Sequence, residues 1–137
     1  MGEIAVEFEL ENPVDRGIVE RGLSEEASVR RTRVQGIVDT GAIMLVLPQN
    51  VVERLGLQIQ ETVVVRYADD RREERPMAGP VTVRIGDRSM RTDCLVGPPR
   101  GEVLIGQVVL ETLDLIADSA NRRLTPRRPD YPLLNLL

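Results

Sequence analysis

The chain has 137 residues, 42% of them apolar, with 22 acidic against 18 basic residues for a net charge of −4. All the basic residues are arginine, and histidine is absent as well as lysine. Ser-His and Cys-His nucleophilic dyads, histidine zinc sites and Schiff-base lysines are thereby excluded, which leaves carboxylate chemistry or none.

Ile4, Val6, Phe8 and Leu10 alternate with glutamates, predicting a half-buried strand that Asn12-Pro13 ends. Residues 14–28 show no period and read as a loop or irregular hairpin. Val29 to Val38 alternates again and runs into Asp39-Thr40-Gly41. The apolar run Ile43 to Leu47 predicts a strand buried on both faces. Pro48 then opens a short helix, Gln49 to Leu55, stopped by Gly56. Val63 to Tyr67 is a strand, Ala68 to Arg72 a polar hairpin tip, and the return from Glu74 to Ile85 holds Pro76 and Pro80, which suits a sheet edge. Gly86-Asp87 turns into a strand over Ser89 to Val96, and Gly97 to Gly101 is a loop. Val103-Leu104-Ile105-Gly106 is a strand end leading to a helix from Gln107 to about Leu113. A last hairpin turns at Asp118 to Asn121, and residues 129–137 form an apolar, proline-bearing tail after a domain of residues 1–128. Many short strands with two short helices predict a small all-β closed barrel.

Cys94 has no partner for an internal disulfide and gives no zinc spacing, so it reads as a small buried strand residue in a reducing, cytoplasmic setting. The apolar runs are too short to span a bilayer, and the N-terminus lacks the order of a signal peptide. Arginine pairs such as Arg30-Arg31 and Arg122-Arg123 are interleaved with acids, and the aromatic residues are only Phe8, Tyr67 and Tyr131. No nucleic-acid partner is expected, nor a metal or cofactor.

Gly36 to Ala42 carries the most chemical information. An apolar strand delivers Asp39 to a tight turn, where burial and neighbouring amides tune a carboxylate. The tripeptide alone would equally suit a plain strand-ending turn. It heads an ordered series, however: Val38-Asp39-Thr40-Gly41-Ala42, then Val46-Leu47-Pro48, the hairpin within Val63 to Val83, Cys94-Leu95-Val96-Gly97-Pro98, and Leu104-Ile105-Gly106. Over residues 29–125 this series resembles the single-domain retroviral-type (retropepsin-like) aspartic proteases.

The resemblance implies one barrel lobe per chain and a homodimer that hydrolyses peptide bonds of a polypeptide substrate. Asp39 of each subunit would activate a water, the two carboxylates sharing a proton. Thr40 would reach across the dimer axis, Gly41 would let the substrate backbone approach, and Ala42, lacking a hydroxyl donor, would favour activity nearer neutrality. Tyr67, Ala68 and Asp69 would belong to the flap over the substrate, although Tyr67 reads equally as a tyrosine packed on the barrel. Ile43, Val65, Val96 and Val103 would lie near the subsites, and the tail would add to the dimer interface or be a disordered end. Where retroviral members pair an acid with an arginine, this chain has Ile43, Met44 and Gln107. Its flap is rich in Asp and Arg, with Gly79 as the one glycine. Asp118-Ser119-Ala120 is the one near repeat of the loop and reads as an ordinary turn. A catalytically weak or inactive dimeric binding or scaffold module is the alternative function, and a protease domain cut from a larger protein is a third possibility.

Overall fold

A computed structural model describes residues 3–134. The alternating N-terminal segment forms β1 (Ala5–Glu11), which buries Phe8 and Leu10 on its inner face. It pairs antiparallel with β2 (Arg31–Val38) along its whole length, and its end also pairs with β5 (Arg72–Ile85), Leu10 facing Val83. Bonding on both sides lets β1 close the sheet. The ring runs β1, β2, β7 (Val103–Ile105), β3 (Val46–Pro48), β6 (Arg88–Gly97), β5 and back to β1. β4 (Gln58–Arg66) lies outside these six strands and pairs with β5 alone, while β8 (Leu115–Asp118) and β9 (Arg123–Pro126) make a separate hairpin. This is the closed all-β barrel expected from the sequence. Its core holds Phe8, Leu10, Leu45, Leu47, Leu55 and Ile105.

Among the described residues, three α-helices accompany the barrel. Residues 13–20 form α1 (Pro13–Glu20), where the sequence predicts a loop. Asn12 ends the strand but also caps the helix: its side-chain oxygen accepts the N–H groups of Val14 (2.9 Å) and Asp15 (3.1 Å), and Pro13 takes the first-turn position that needs no donor. The Asn12 Nδ2 donates to the Leu55 carbonyl at 2.9 Å, tying α1 to the end of α2 (Gln49–Leu55). α2 stops at Gly56, whose φ of +64° favours glycine. α3 (Gln107–Thr112) follows Gly106, and a single 3₁₀ turn spans Glu26–Ser28.

Two strand expectations need correction. β5 is not an edge: it lies between β4 and β6. Its prolines are tolerated because Pro76 and Pro80 lie beside register shifts, between Ile59 and Thr62 on the β4 side and between Ala78 and Val81 on the β6 side, where the ladder is already interrupted. The apolar run 43–47 is a strand only from Val46. Ile43 is 70% exposed, because residues 42–45 spend their backbone crossing to other segments.

The tail docks on its own chain as far as Leu133. Asp114, buried with φ +55°, accepts from Arg127 Nε (3.0 Å), Arg128 Nη1 (2.9 Å) and the Leu133 N–H (3.1 Å). The buried Arg88 donates to the carbonyls of Leu113, Asp114 and Arg128. The expectation for residues 135–137 lies outside the described residues. No helix among the described residues is long and apolar enough to cross a membrane.

Candidate active site

β2 and β7 pair in parallel, Val38 beside Ile105, so both chains leave the barrel at the same edge. Asp39 emerges first, its N–H still bonded to the Ile105 carbonyl at 3.0 Å. The next residues fold into a turn closed by the Ala42 N–H on the Asp39 carbonyl (3.1 Å) and cross over Gly106. A Cβ at Gly106 would lie 2.8 Å from the Ala42 carbonyl oxygen and nearer still to that of Met44, so the crossing requires glycine there. Beyond it, the N–H groups of Gln107 and Val108 donate to the carbonyls of Ala42 and Ile43, both at 2.9 Å. The Gln107 side chain adds a bond from Nε2 to the Thr40 carbonyl at 2.6 Å. Four hydrogen bonds therefore brace the turn against the junction of β7 and α3.

The Asp39 carboxylate is half-buried and accepts the Gly41 N–H at 3.0 Å through Oδ1. This is its one protein hydrogen bond among the described residues. A Cβ on Gly41 would approach that oxygen to 3.2 Å. The structure thus brings Asp39, Thr40, Gly41 and Ala42 together with Leu104, Ile105 and Gly106.

Tyr67, Ala68 and Asp69 are placed apart, at the tip of the β4–β5 hairpin, whose hydrogen bonds close on themselves. The Tyr67 N–H donates to the Arg71 carbonyl (2.8 Å) and the Tyr67 hydroxyl to Glu73 Oε2 (3.0 Å), while the Arg71 guanidinium lies 4.4 Å from the Tyr67 ring centre. Tyr67 is half-buried within this tip rather than packed on the barrel wall. Of the four residues expected near subsites, Val96 and Val103 belong to the core, leaving Ile43 exposed and Val65 half-buried. A groove of about 640 Å³ beside β2 has a mixed lining, with Val34, Ile37 and Val51 beside Glu3, Gln35 and Arg100. Asp118 is a turn residue: the Asn121 side chain and backbone donate to its carboxylate and hold it below the usual range. Among the described residues no three Cys, Asp or Glu side chains converge in a group that could hold a metal ion.

Gln107 is the site residue whose part sequence reasoning missed. It stands where retroviral members carry arginine, and its identity as an amide donor just after Ile-Gly was the available signal.

Residues 26–112, more than half the chain, match the family described as "gag-polyprotein putative aspartyl protease". That span runs through β2 to α3 and includes both the Asp39 turn and the junction bracing it. Among solved structures, the EIAV protease complexed with the inhibitor HBY-793 aligns with a TM-score of 0.47 and 23% identity, over 58% of this chain and 76% of that one. No curated protein matches. With its closed barrel, its Asp-Thr-Gly turn and the span of the family match, this chain belongs to the gag-polyprotein aspartyl protease family, the single-domain proteases of retropepsin-like type.

Proposed function

We propose that two copies of this chain form an aspartic endopeptidase, with one Asp39 from each meeting at their two-fold axis. The observation that carries this reading is the braced turn, which holds a half-exposed carboxylate at a barrel edge by four hydrogen bonds to the β7–α3 junction. Each chain supplies one such carboxylate, so a two-carboxylate site needs a second copy. Ile43, 70% exposed, and Val108, 37% exposed, flank the turn and offer apolar surface for that copy to cover.

Two carboxylates so close carry one proton between them. The ionised member takes a proton from water as its oxygen attacks the scissile carbonyl, and the protonated member donates to the carbonyl oxygen. Thr40 reaches across the axis, and Gly41, without a side chain, leaves room for an extended substrate backbone.

The test is cleavage of a mixed peptide library from pH 3 to 8, with sedimentation to establish the oligomeric state. Asp39→Asn is expected to lower cleavage by about 10³-fold or more while leaving the assembly intact. A folded, dimeric wild type that cuts nothing across this range would instead favour a binding or scaffold module. The closed, charged hairpin tip is the feature most consistent with that second reading.

A further inference from the structure

We infer that Gln107 is a positioning residue for the Asp39 carboxylate, acting through the peptide that joins Thr40 to Gly41. The two hydrogen bonds involved share one planar group. Gln107 Nε2 donates to the Thr40 carbonyl at 2.6 Å, and the N–H of the same peptide, on Gly41, donates to Asp39 Oδ1 at 3.0 Å. A peptide unit is rigid, so fixing its carbonyl fixes the direction of its N–H. A donor on the carbonyl oxygen also polarises the amide and strengthens the bond at its far end.

The peptide needs such a restraint because its second residue is glycine. Gly41 permits backbone rotations that other residues resist, and in the opposite orientation the peptide would turn a carbonyl oxygen toward the carboxylate. The rest of the brace does not hold this plane. The N–H groups of Gln107 and Val108 bind the carbonyls of Ala42 and Ile43, and the Asp39 N–H binds Ile105. Only the Gln107 side chain is bonded to the Thr40 carbonyl among the described residues. Gln107 is exposed, so its side chain adds nothing to the core and its replacement leaves the barrel packing alone.

The inference rests on Asp39 being catalytic, and the experiment separates the two claims by reading the Gly41 amide directly. Wild type, Gln107→Met, Gln107→Glu and Gln107→Arg are compared by ¹H–¹⁵N spectra, thermal midpoint and steady-state cleavage of a peptide found in the library. Met matches glutamine in length but has no donor, and Glu sets a carboxylate against the carbonyl. Arg restores an N–H at the same bond count from the backbone. Met and Glu are expected to move the Gly41 amide resonance upfield and to lower kcat about tenfold, the equivalent of one hydrogen bond, with KM changed less than about twofold. Arg is expected to restore both, with similar thermal midpoints throughout. An unmoved Gly41 resonance in Gln107→Met would overturn the inference, as would a loss confined to KM or a failure of Arg to restore what Met removes. If the wild type shows no Asp39-dependent cleavage, the catalytic reading falls, while the Gly41 resonance still decides whether Gln107 orients the peptide.

Discussion

A methyl group at position 106 would stand 2.8 Å from the Ala42 carbonyl oxygen and within closer reach of the Met44 carbonyl. Both are backbone atoms of the turn itself, so relief requires the turn to move away from β7. Gly106→Ala is therefore expected to cost about 1–3 kcal/mol, the range of overpacking a tight interior, and a fall in the urea midpoint measures it. An unchanged midpoint would show that the crossing of residues 42–44 is looser than described. This steric demand is also why the site was legible in the sequence. Gly106 stands where backbones must approach closely, and that requirement leaves a mark on residue identity. Gln107 left no comparable mark. Its partner is a carbonyl 67 residues earlier, and nothing local in the sequence records which way that carbonyl points.

At the scale of elements, α1 shows how a correct boundary can carry a wrong element. Asn12-Pro13 does end β1, yet the same pair caps and opens a helix. The helix escaped detection because its spaced apolar residues face outward: Val14 is 57% and Ile18 40% exposed, so no core-facing stripe marks it. Asn12→Ala removes two accepted N–H bonds and the donation to Leu55, and is expected to destabilise by about 1–2 kcal/mol. Chemical denaturation checks this, and a loss no larger than that of an exposed alanine substitution would argue against the cap. In the β4–β5 hairpin, Tyr67→Phe deletes the bond to Glu73. Amide exchange at the Tyr67 and Asp70 N–H groups, which close the tip, is expected to accelerate about fivefold. Exchange at the wild-type rate would mean the backbone turn alone holds the tip shut.

For the whole molecule, pH dependence follows from three buried carboxylates. Arg16 beside Glu11 and Arg30 beside Asp15 hold those carboxyls below their ordinary values, and the Leu133 N–H with Arg128 and Arg127 does so for Asp114. Depressed carboxyls contribute stability that is fully present above the unfolded value, about 4, and is lost as pH falls through the folded one. With no histidine, and with burial pushing the Cys94 thiol up to about 12, no side chain opposes a flat profile at neutrality. Urea midpoints are expected to be level from about pH 5 to 8 and to fall below about pH 4. Asp114→Asn is expected to soften that acid limb, and a limb of wild-type steepness would remove Asp114 from the account. Barrel closure was legible in kind, through strand count and turn spacing. The pairing of β1 with both β2 and β5 was not, because a ring is closed by contacts that no single segment encodes.

β5 belongs to two structures at once. Its later residues are a barrel stave, paired with β1 and β6, and its first residues overhang the barrel with β4. Met77 and Ala78 are already paired with β6, so the overhang proper is residues 72–76. Mechanically the overhang is a lever with its base between Pro76 and Met77, where pairing with β6 begins. From Pro76 to Arg72 the arm is about 13 Å long at ~3.3 Å per residue, so a tilt of about 10° at its base sweeps the tip through about 2 Å. Leverage of this kind makes the place where β6 pairing begins, Met77 against Leu95, rather than the charged tip, the base from which the hairpin swings.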